Sequence, residues 1–239
     1  MFERRPIALL TSLASAIFLI IVLGAKAHAQ GAEWTLKQNT AYSGVQTVYL
    51  GANGCKLTTK GFSTLMVGPS WRVVLSNDRA RTFCDMSFDE WTKKFAAGGP
   101  DLKNAPIRRG QNGTVGGAPA SQYFVDTKLA DGRTVPVAEF WMCHAMTPPS
   151  YVNFAITKLT GIPNMQGMPV RIYKYNTRTG TKSVALDTMS CQRTRLPAGT
   201  LAAPAGFQRV ADEMDLVMAD DNGEMGDLLN SMQTHKRAH

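Results

Sequence analysis

Residues 43–95 constrain the fold most, because short apolar runs alternate there with clear turn signals. Gly, Pro, Asn and Asp separate the runs, and these residues favour tight reversals of the chain. The pattern predicts a meander of five short strands, at about residues 45–50, 55–60, 62–67, 71–75 and 80–85. A series of strands this short must bury one face of a sheet, so we expect a mainly β protein.

A helix is predicted directly after this meander. Ser87 and Glu90 have the spacing of a capping box, in which the Ser87 hydroxyl accepts a hydrogen bond from the Glu90 amide. Phe88, Trp91 and Phe95 follow at spacings of three and four residues and therefore share one face. We interpret this aromatic face as the side that packs against the sheet.

The second half of the chain repeats the order of strands, a helix and more strands. Residues 100–118 are rich in Pro, Gly and Asn and predict a mobile connection, although Ile107 could begin a strand there. Further strands are predicted at about 120–129, 135–144, 169–175, 182–195 and 208–210. Both faces of the 135–144 strand are largely apolar, which is typical of a central strand.

A second helix is predicted between the strands at 135–144 and 169–175. Thr147 with Pro148 forms a typical helix start, and Gly161 a typical helix end. Its apolar side chains predict a broad buried face, formed by Tyr151, Phe154, Ala155, Ile156 and Leu159. The helix should therefore lie in a hollow of the sheet or across its mouth.

The beginning of the chain has the pattern of a secretory signal. Arg4 and Arg5 precede a long apolar run, and Ala27-His28-Ala29 provides small residues for cleavage near Ala29. Residues 1–29 are therefore predicted to be a cleavable signal peptide, and the alternative is an uncleaved N-terminal membrane anchor. Export predicts a protein of the bacterial periplasm, which is an oxidising compartment.

The charge of the chain is uneven. The whole sequence carries a formal net charge of +8, yet residues 212–239 contain seven acidic against two basic residues, a net charge of −5. This end is predicted to be an acidic, partly disordered tail on a basic body. A basic exported body favours an anionic envelope surface, rather than nucleic acid, as its partner.

Four cysteines in an exported chain predict two disulfide bonds. Three pairings are possible, and the sequence by itself does not choose among them. The positions favour a Cys55–Cys84 bond together with a Cys143–Cys191 bond, since the first two residues bracket the meander.

A soft-metal site is the alternative use of sulfur in this sequence. Met142, Cys143, His144 and Met146 carry the ligand types that monovalent copper prefers. Neighbouring residues of a strand point to opposite faces, which separates these side chains, so no metal site and no cofactor are predicted. Hydrolase and metalloprotease motifs are also absent from the sequence, and we predict no catalytic residues and no enzyme activity.

The order of these parts resembles the incomplete β-barrels of the outer-membrane lipoprotein carrier and sorting proteins. The resemblance covers about residues 35–210 and is carried by the stretches 68–73, 86–91, 159–163, 167–170 and 186–190. It implies a mainly β (α+β) fold, a curved antiparallel incomplete β-barrel formed by residues 30–211, with two helices against its concave side or mouth.

The resemblance also implies a function. The concave hollow of such a barrel would hold a lipid or other amphiphile, with Trp141, Tyr151, Phe154 and Leu159 as candidate lining residues. The expected function is thus an exported binding module. The alternative is an envelope scaffold or interaction protein that fills the hollow with its own helix, and the oligomeric state is left open.

Overall fold

The computed structural model describes residues 33–95 and 105–219. The predicted signal peptide and most of the predicted acidic tail lie outside the described residues. Within the described ranges, no helix combines the length and the apolar character that crossing a membrane requires.

The described chain forms twelve strands and three short helices. The first half contains β1 (Trp34–Thr40), β2 (Gly44–Gly51), β3 (Gly54–Thr58), β4 (Phe62–Val67), β5 (Arg72–Asn77), β6 (Thr82–Met86) and α1 (Phe88–Phe95). The second half contains β7 (Ile107–Val115), β8 (Ala118–Lys128), β9 (Thr134–Cys143), α2 (Ser150–Thr160), β10 (Met168–Tyr175), β11 (Lys182–Arg193), β12 (Gln208–Arg209) and α3 (Glu213–Met218).

All twelve strands belong to one open sheet in the order β12-β6-β5-β4-β3-β2-β1-β11-β10-β9-β8-β7. Neighbouring strands are antiparallel, except that β12 runs parallel to β6. The two halves of the chain meet where β1 pairs with β11, over the register from Trp34 opposite Arg193 to Thr40 opposite Leu186. This architecture confirms the predicted mainly β fold class.

The second half of the sheet is curved. β7 contacts β11 although β8, β9 and β10 lie between them. Four interstrand steps in a flat sheet would separate the two strands by about 19 Å. Gly116, in the turn after β7, has a φ of +57°, and a Cβ at this position would lie 2.8 Å from the Thr188 carbonyl oxygen. A glycine is therefore needed where the turn closes on β11.

The larger of two hydrophobic clusters joins both halves of the sheet to all three helices. Its members include Leu36 of β1 and Val48 of β2. The helices contribute Trp91 from α1, Val152 from α2 and Leu216 from α3. A smaller cluster includes Phe140 and Met142 of β9, with Ile162 from the loop after α2. Because Trp141 and Cys143 belong to the larger cluster, both faces of β9 are buried, as the sequence predicts for a central strand.

Two strands differ from the sequence-based expectation. The sequence pattern does not predict β1, because buried Gln38 interrupts its apolar alternation. Its side chain is satisfied by hydrogen bonds, since Gln38 Nε2 donates to Thr188 Oγ1 at 3.0 Å and Gln46 Nε2 donates to Gln38 Oε1 at 3.1 Å. β7 occupies residues 107–115 of the predicted mobile connection at 100–118 and begins at Ile107, where the sequence allows a strand. Its exposed side chains are tolerated because it is an edge strand.

The second inserted helix begins later than predicted. α2 starts at Ser150 after Pro149, because the residue before a proline is disfavoured in helical geometry and Pro148 is followed by Pro149. Its end at Gly161 agrees with the prediction, since Gly161 has left-handed backbone geometry. Of the predicted apolar face, Ala155 is buried and Ile156 packs partly buried against the larger cluster, whereas Tyr151 and Leu159 are exposed. Val152 and Thr157 complete the buried side of α2.

The predicted tail begins with ordered structure. The Asp212 side chain caps α3 by accepting hydrogen bonds from the backbone amides of Met214 and Asp215. Leu216 is 1 % exposed, and its carbonyl oxygen accepts a hydrogen bond of 3.1 Å from Asn77 Nδ2. Lys94 Nζ lies 2.9 Å from Glu213 Oε2. Residues 212–219 thus belong to the folded domain, and residues 220–239 lie outside the described part.

The four cysteines are free thiols, in contrast to the two disulfides expected from the sequence. Cys55 lies on β3 and Cys84 on β6, with β4 and β5 between them. Three interstrand steps correspond to about 14 Å, whereas bonded cysteines have Cα atoms about 4.4–6.8 Å apart. The spacing of a flat sheet therefore disfavours the Cys55–Cys84 pairing.

Candidate functional site

Two of the four predicted lining residues meet in an aromatic group at the start of α2. Tyr151 stacks on Trp71 with ring centroids 5.1 Å apart, and it contacts Phe88 edge to face at 5.0 Å. Phe154 lies 5.9 Å from Phe88 and carries the Lys158 ammonium over its ring at 5.7 Å. The rings pack against one another and thereby connect α1, α2 and the β4–β5 turn.

The other two predicted lining residues lie elsewhere. Trp141 is buried in the larger cluster, and its indole nitrogen donates a hydrogen bond of 3.1 Å to Glu139 Oε1. Leu159 is 43 % exposed, as is Tyr151. The structure thus brings together Tyr151 and Phe154, but it does not gather the four predicted residues around one hollow.

A cavity of about 610 Å³ lies at a different place, beside the end of the β8–β9 hairpin. Its size is within the range of small-molecule sites. The described residues that line it come from the segment before β7 and from β8, β9 and β10, and are Ala105, Pro106, Asp126, Thr127, Lys128, Thr134, Val137, Ala138 and Lys174. The lining thus combines apolar surface with three charged groups, those of Asp126, Lys128 and Lys174.

Lys174 is the unusual residue of this cavity. It is a half-buried residue of β10, opposite Ala138 of β9, and its Nζ donates a hydrogen bond of 2.7 Å to the Gly161 carbonyl oxygen at the end of α2. Burial lowers the pKa of this ammonium to about 8. Among residues 33–95 and 105–219, no carboxylate forms an ion pair with it.

The acidic residue of the cavity is already neutralised. Asp126 Oδ2 accepts a hydrogen bond of 3.1 Å from Arg108 Nε, and the Arg108 guanidinium lies 4.3 Å from the Phe124 ring centroid. Lys128 is exposed at the cavity and has no carboxylate partner within the described ranges. The local charge is therefore positive, which suits an anionic group.

The sequence offers only a slight signal for this site. Lys174 stands between two tyrosines in the strand predicted at 169–175, and a lysine in such a place is more often solvated. Its burial depends on strand pairing with β9 and on the position of the α2 carboxyl end, which no local pattern predicts.

A second polar group surrounds Glu139, which lies on the predicted face with Trp141. Burial by itself would raise the pKa of Glu139, but hydrogen bonds outweigh it and lower the pKa to about 2. The donors are Lys182 Nζ at 2.7 Å, Gln122 Nε2 at 2.8 Å, Tyr175 Oη at 2.8 Å and Trp141 Nε1 at 3.1 Å. A carboxylate with four donors is satisfied, so this group stabilises the fold rather than offering a free base.

Comparisons with known proteins assign no family. No family model matches the chain, and no curated protein matches it. Among solved structures, an uncharacterized conserved protein from Thermus thermophilus is similar at 11 % identity and a TM-score of 0.42, covering 82 % of this chain and 98 % of that chain.

Two further solved structures show weaker similarity. PNGF-II matches at 10 % identity and a TM-score of 0.37, covering 80 % of this chain but 32 % of that chain. MucB matches at 13 % identity and a TM-score of 0.31, covering 83 % of this chain and 66 % of that chain. Similarities this low assign neither family nor function.

Proposed function

We propose that this protein is a binding module for an amphiphile with an anionic head group, which it holds in the cavity beside Lys174. The observation that carries the proposal is Lys174 itself, a half-buried ammonium without a carboxylate partner in the described part of the chain. A half-buried charge of this kind is costly, and an anion beside it reduces that cost.

The walls of the cavity support the amphiphilic character of the ligand. Val137, Ala138, Ala105 and Pro106 provide apolar surface next to the ammonium. An acyl chain on such a surface gains about 0.8 kcal/mol for each methylene group that it buries. A carboxylate or phosphate head group near Lys174, with Lys128 at the rim, would complete the binding.

The proposed function includes the periplasmic location expected from the sequence. Residues 1–29 would direct export to the periplasm, and the basic body would favour anionic envelope surfaces. Binding needs no cofactor and no catalytic residue, so the module would carry its ligand without chemical conversion.

Titration with a fluorescent fatty-acid probe tests the proposal. Lys174→Met keeps an apolar stem of similar length and removes the charge, so probe affinity should fall at least about tenfold, the effect of one charged hydrogen bond. Lys60→Met, at an exposed position outside the cavity lining, is the matched control and should bind like the wild type.

Two further measurements sharpen this test. Binding should weaken as the pH rises above about 8, because the Lys174 ammonium loses its proton there. An uncharged alcohol analogue of the probe should bind the wild type and Lys174→Met about equally. A wild-type protein that binds no anionic probe, or Lys174→Met with unchanged affinity, would contradict the proposal.

A scaffold role is the second candidate, and one observation favours it. Val152, Ala155 and Leu216 fill the larger cluster with the chain's own helices. Native mass spectrometry of the purified protein separates the two functions: co-purified lipid supports the binding module, and bare polypeptide that also fails to bind the probe supports the scaffold.

A further inference from the structure

One row of side chains links the free edge of the sheet to the cavity beside Lys174. Ile107 of β7 pairs with Val125 of β8, which pairs with Ala138 of β9. Ala138 in turn pairs with Lys174 of β10. Residues directly opposite each other on antiparallel strands point to the same face of a sheet. Ile107 therefore lies on the same face as the cavity residues Ala138 and Lys174.

The outer end of this row is apolar and exposed. β7 is the last strand of the sheet, and Ile107 is 42 % exposed there. The two residues before it, Ala105 and Pro106, line the cavity. The Pro106 carbonyl oxygen accepts a hydrogen bond of 3.4 Å from the Asp126 amide, which holds this segment against β8. Apolar surface thus extends from the cavity to the free edge of the sheet.

Two basic side chains flank this apolar edge. Arg109 is exposed on β7, two residues after Ile107, and its Nη2 donates a hydrogen bond of 3.3 Å to Asn112 Oδ1. Lys128 is exposed at the end of β8 and lines the cavity. Within the described ranges, neither Arg109 nor Lys128 forms an ion pair with a carboxylate. Their charges are therefore available to an external anion.

The acidic side chains of the same region do not cancel these charges. Asp131, in the β8–β9 turn, pairs with Arg133, whose Nε lies 2.7 Å from Asp131 Oδ2. Asp126 pairs with Arg108 at 3.1 Å. Each carboxylate thus has an arginine of its own, and the region keeps a net positive charge.

The geometry points to a docking surface for an anionic membrane, formed by Ile107, Arg109 and Lys128 beside the cavity. Arg109 pairs with Tyr123 of β8, five residues before Lys128, so the surface extends about 17 Å along the strand. Lysine and arginine side chains bind the anionic head groups of a bilayer, and an exposed apolar side chain enters its interface. These three side chains combine both properties.

This inference rests on the proposed binding function and names the partner from which the cavity takes its ligand. A protein docked through Ile107 holds the cavity next to the lipid head groups. An amphiphile then moves along the row from Ile107 to Lys174, with its chain against apolar surface and its anionic head group between cations. This path avoids full exposure of the chain to water, which is costly.

Co-sedimentation with lipid vesicles tests the docking surface on protein that a bacterial host has exported and processed. One set of vesicles contains one part phosphatidylglycerol to two parts phosphatidylcholine, and the reference set contains phosphatidylcholine alone. The wild type should bind the anionic vesicles at least about tenfold more tightly, because each basic side chain near an anionic bilayer contributes about fivefold in affinity. High salt should remove this preference.

Two substitutions on the docking surface should weaken this binding. Arg109→Gln should lower the affinity for anionic vesicles about fivefold, and Ile107→Ser should lower it by a similar factor. Both positions are exposed, so the fold should be unaffected. Arg193→Gln on β11 and Val45→Ser on β2 are matched controls at exposed positions outside the docking surface, and they should bind vesicles like the wild type.

The same proteins separate this inference from the proposed function. Without vesicles, Ile107→Ser and Arg109→Gln should bind the fatty-acid probe like the wild type. Lys174→Met should lose probe affinity and keep its binding to anionic vesicles.

Equal binding to both vesicle types, binding to neither, or substitutions at Ile107 and Arg109 that act like their controls would overturn the docking surface. A wild type that binds anionic vesicles through these residues but binds no probe would contradict the proposed function and support the docking surface.

Discussion

Lys182 of β11 reaches across β10 to donate a hydrogen bond of 2.7 Å to the Glu139 carboxylate of β9. The same ammonium lies 3.6 Å from the Tyr173 ring centroid, so one side chain ties three neighbouring strands together. Glu139 is 4 % exposed, which makes this the most buried ion pair in the described part of the chain. Loss of this ion pair should destabilise the pairing of β9, β10 and β11.

Acid should destabilise the protein through Glu139. Its pKa lies near 2 in the folded state and near 4.5 in the unfolded state, so the unfolded state binds the proton first. The resulting stability is fully present above about pH 4.5 and is lost as the pH falls toward 2. Glu139→Gln should cost about 1–3 kcal/mol at neutral pH and flatten this acid limb, measured by urea unfolding. An unchanged pH profile would contradict the assignment.

An ordinary paired lysine stabilises the fold when it is charged, whereas the charge on Lys174 should destabilise the fold. Because burial lowers the pKa of Lys174 to about 8, the unfolded state binds the proton more tightly, and stability should rise between pH 8 and about 10.5. Lys174→Met should leave the free energy of unfolding unchanged or raise it by about 1 kcal/mol at pH 7. A clear loss of stability in this variant would mean that the bond to Gly161 matters more than burial of the charge.

The cap of α1 should contribute measurable stability. Ser87 Oγ accepts a hydrogen bond of 3.1 Å from the Glu90 amide, as the capping box predicts. Ser87→Ala should therefore cost about 1 kcal/mol in the free energy of unfolding. Ser70→Ala, at an exposed serine of the β4–β5 turn, is the control and should change stability by less than about 0.5 kcal/mol. Equal effects at the two serines would show that the Ser87 hydroxyl does not stabilise α1.

Phe154 should matter for packing and not for the proposed ligand. It touches the aromatic group through Phe88 and does not line the cavity beside Lys174. Phe154→Ala should cost about 2 kcal/mol, below the usual cost for a fully buried phenylalanine. Probe affinity should stay at the wild-type value. A strong change in probe uptake would instead support α2 as a lid over a different hollow.

The thiols offer a direct chemical test. Alkylation of the denatured chain without reductant should label four cysteines, because the structure contains free thiols and separates Cys55 from Cys84 by two strands. In the folded protein, half-buried Cys191 should react first, since the other three are buried. Mass spectrometry counts the labels. Protection of Cys143 and Cys191 alone would show that the bond expected between them does form.

Much of the fold could be read from local sequence patterns. The alternation over 43–95 and its turn residues predicted β2 to β6, and the capping box located α1. Glycine marked the end of α2 at Gly161, and the two apolar faces of 135–144 indicated a central strand. These features depend on neighbours within a few residues, where backbone geometry and side-chain periodicity act directly.

Other features depended on partners far along the chain. β1 was not predicted, because Gln38 is buried only through its bonds to Thr188 and Gln46. Only the start of β7 at Ile107 was suggested, because an edge strand needs little apolar pattern. The first residues of the predicted acidic tail, 212–219, form α3 against the sheet, where Asn77 donates a hydrogen bond to the Leu216 carbonyl oxygen and Lys94 pairs with Glu213. Each outcome followed from a surface that a distant segment provides.

The sequence by itself determined the elements and the class of fold, because turns, caps and two-residue alternation are local properties. Tertiary structure decided the chemistry. Pairing of β10 with both β9 and β11 places Cys191 against Met146, and pairing of β9 with β10 half-buries Lys174 beside the end of α2. Burial and unpaired charge arise only when segments distant in sequence meet, and these two properties distinguish a candidate site from an ordinary lysine.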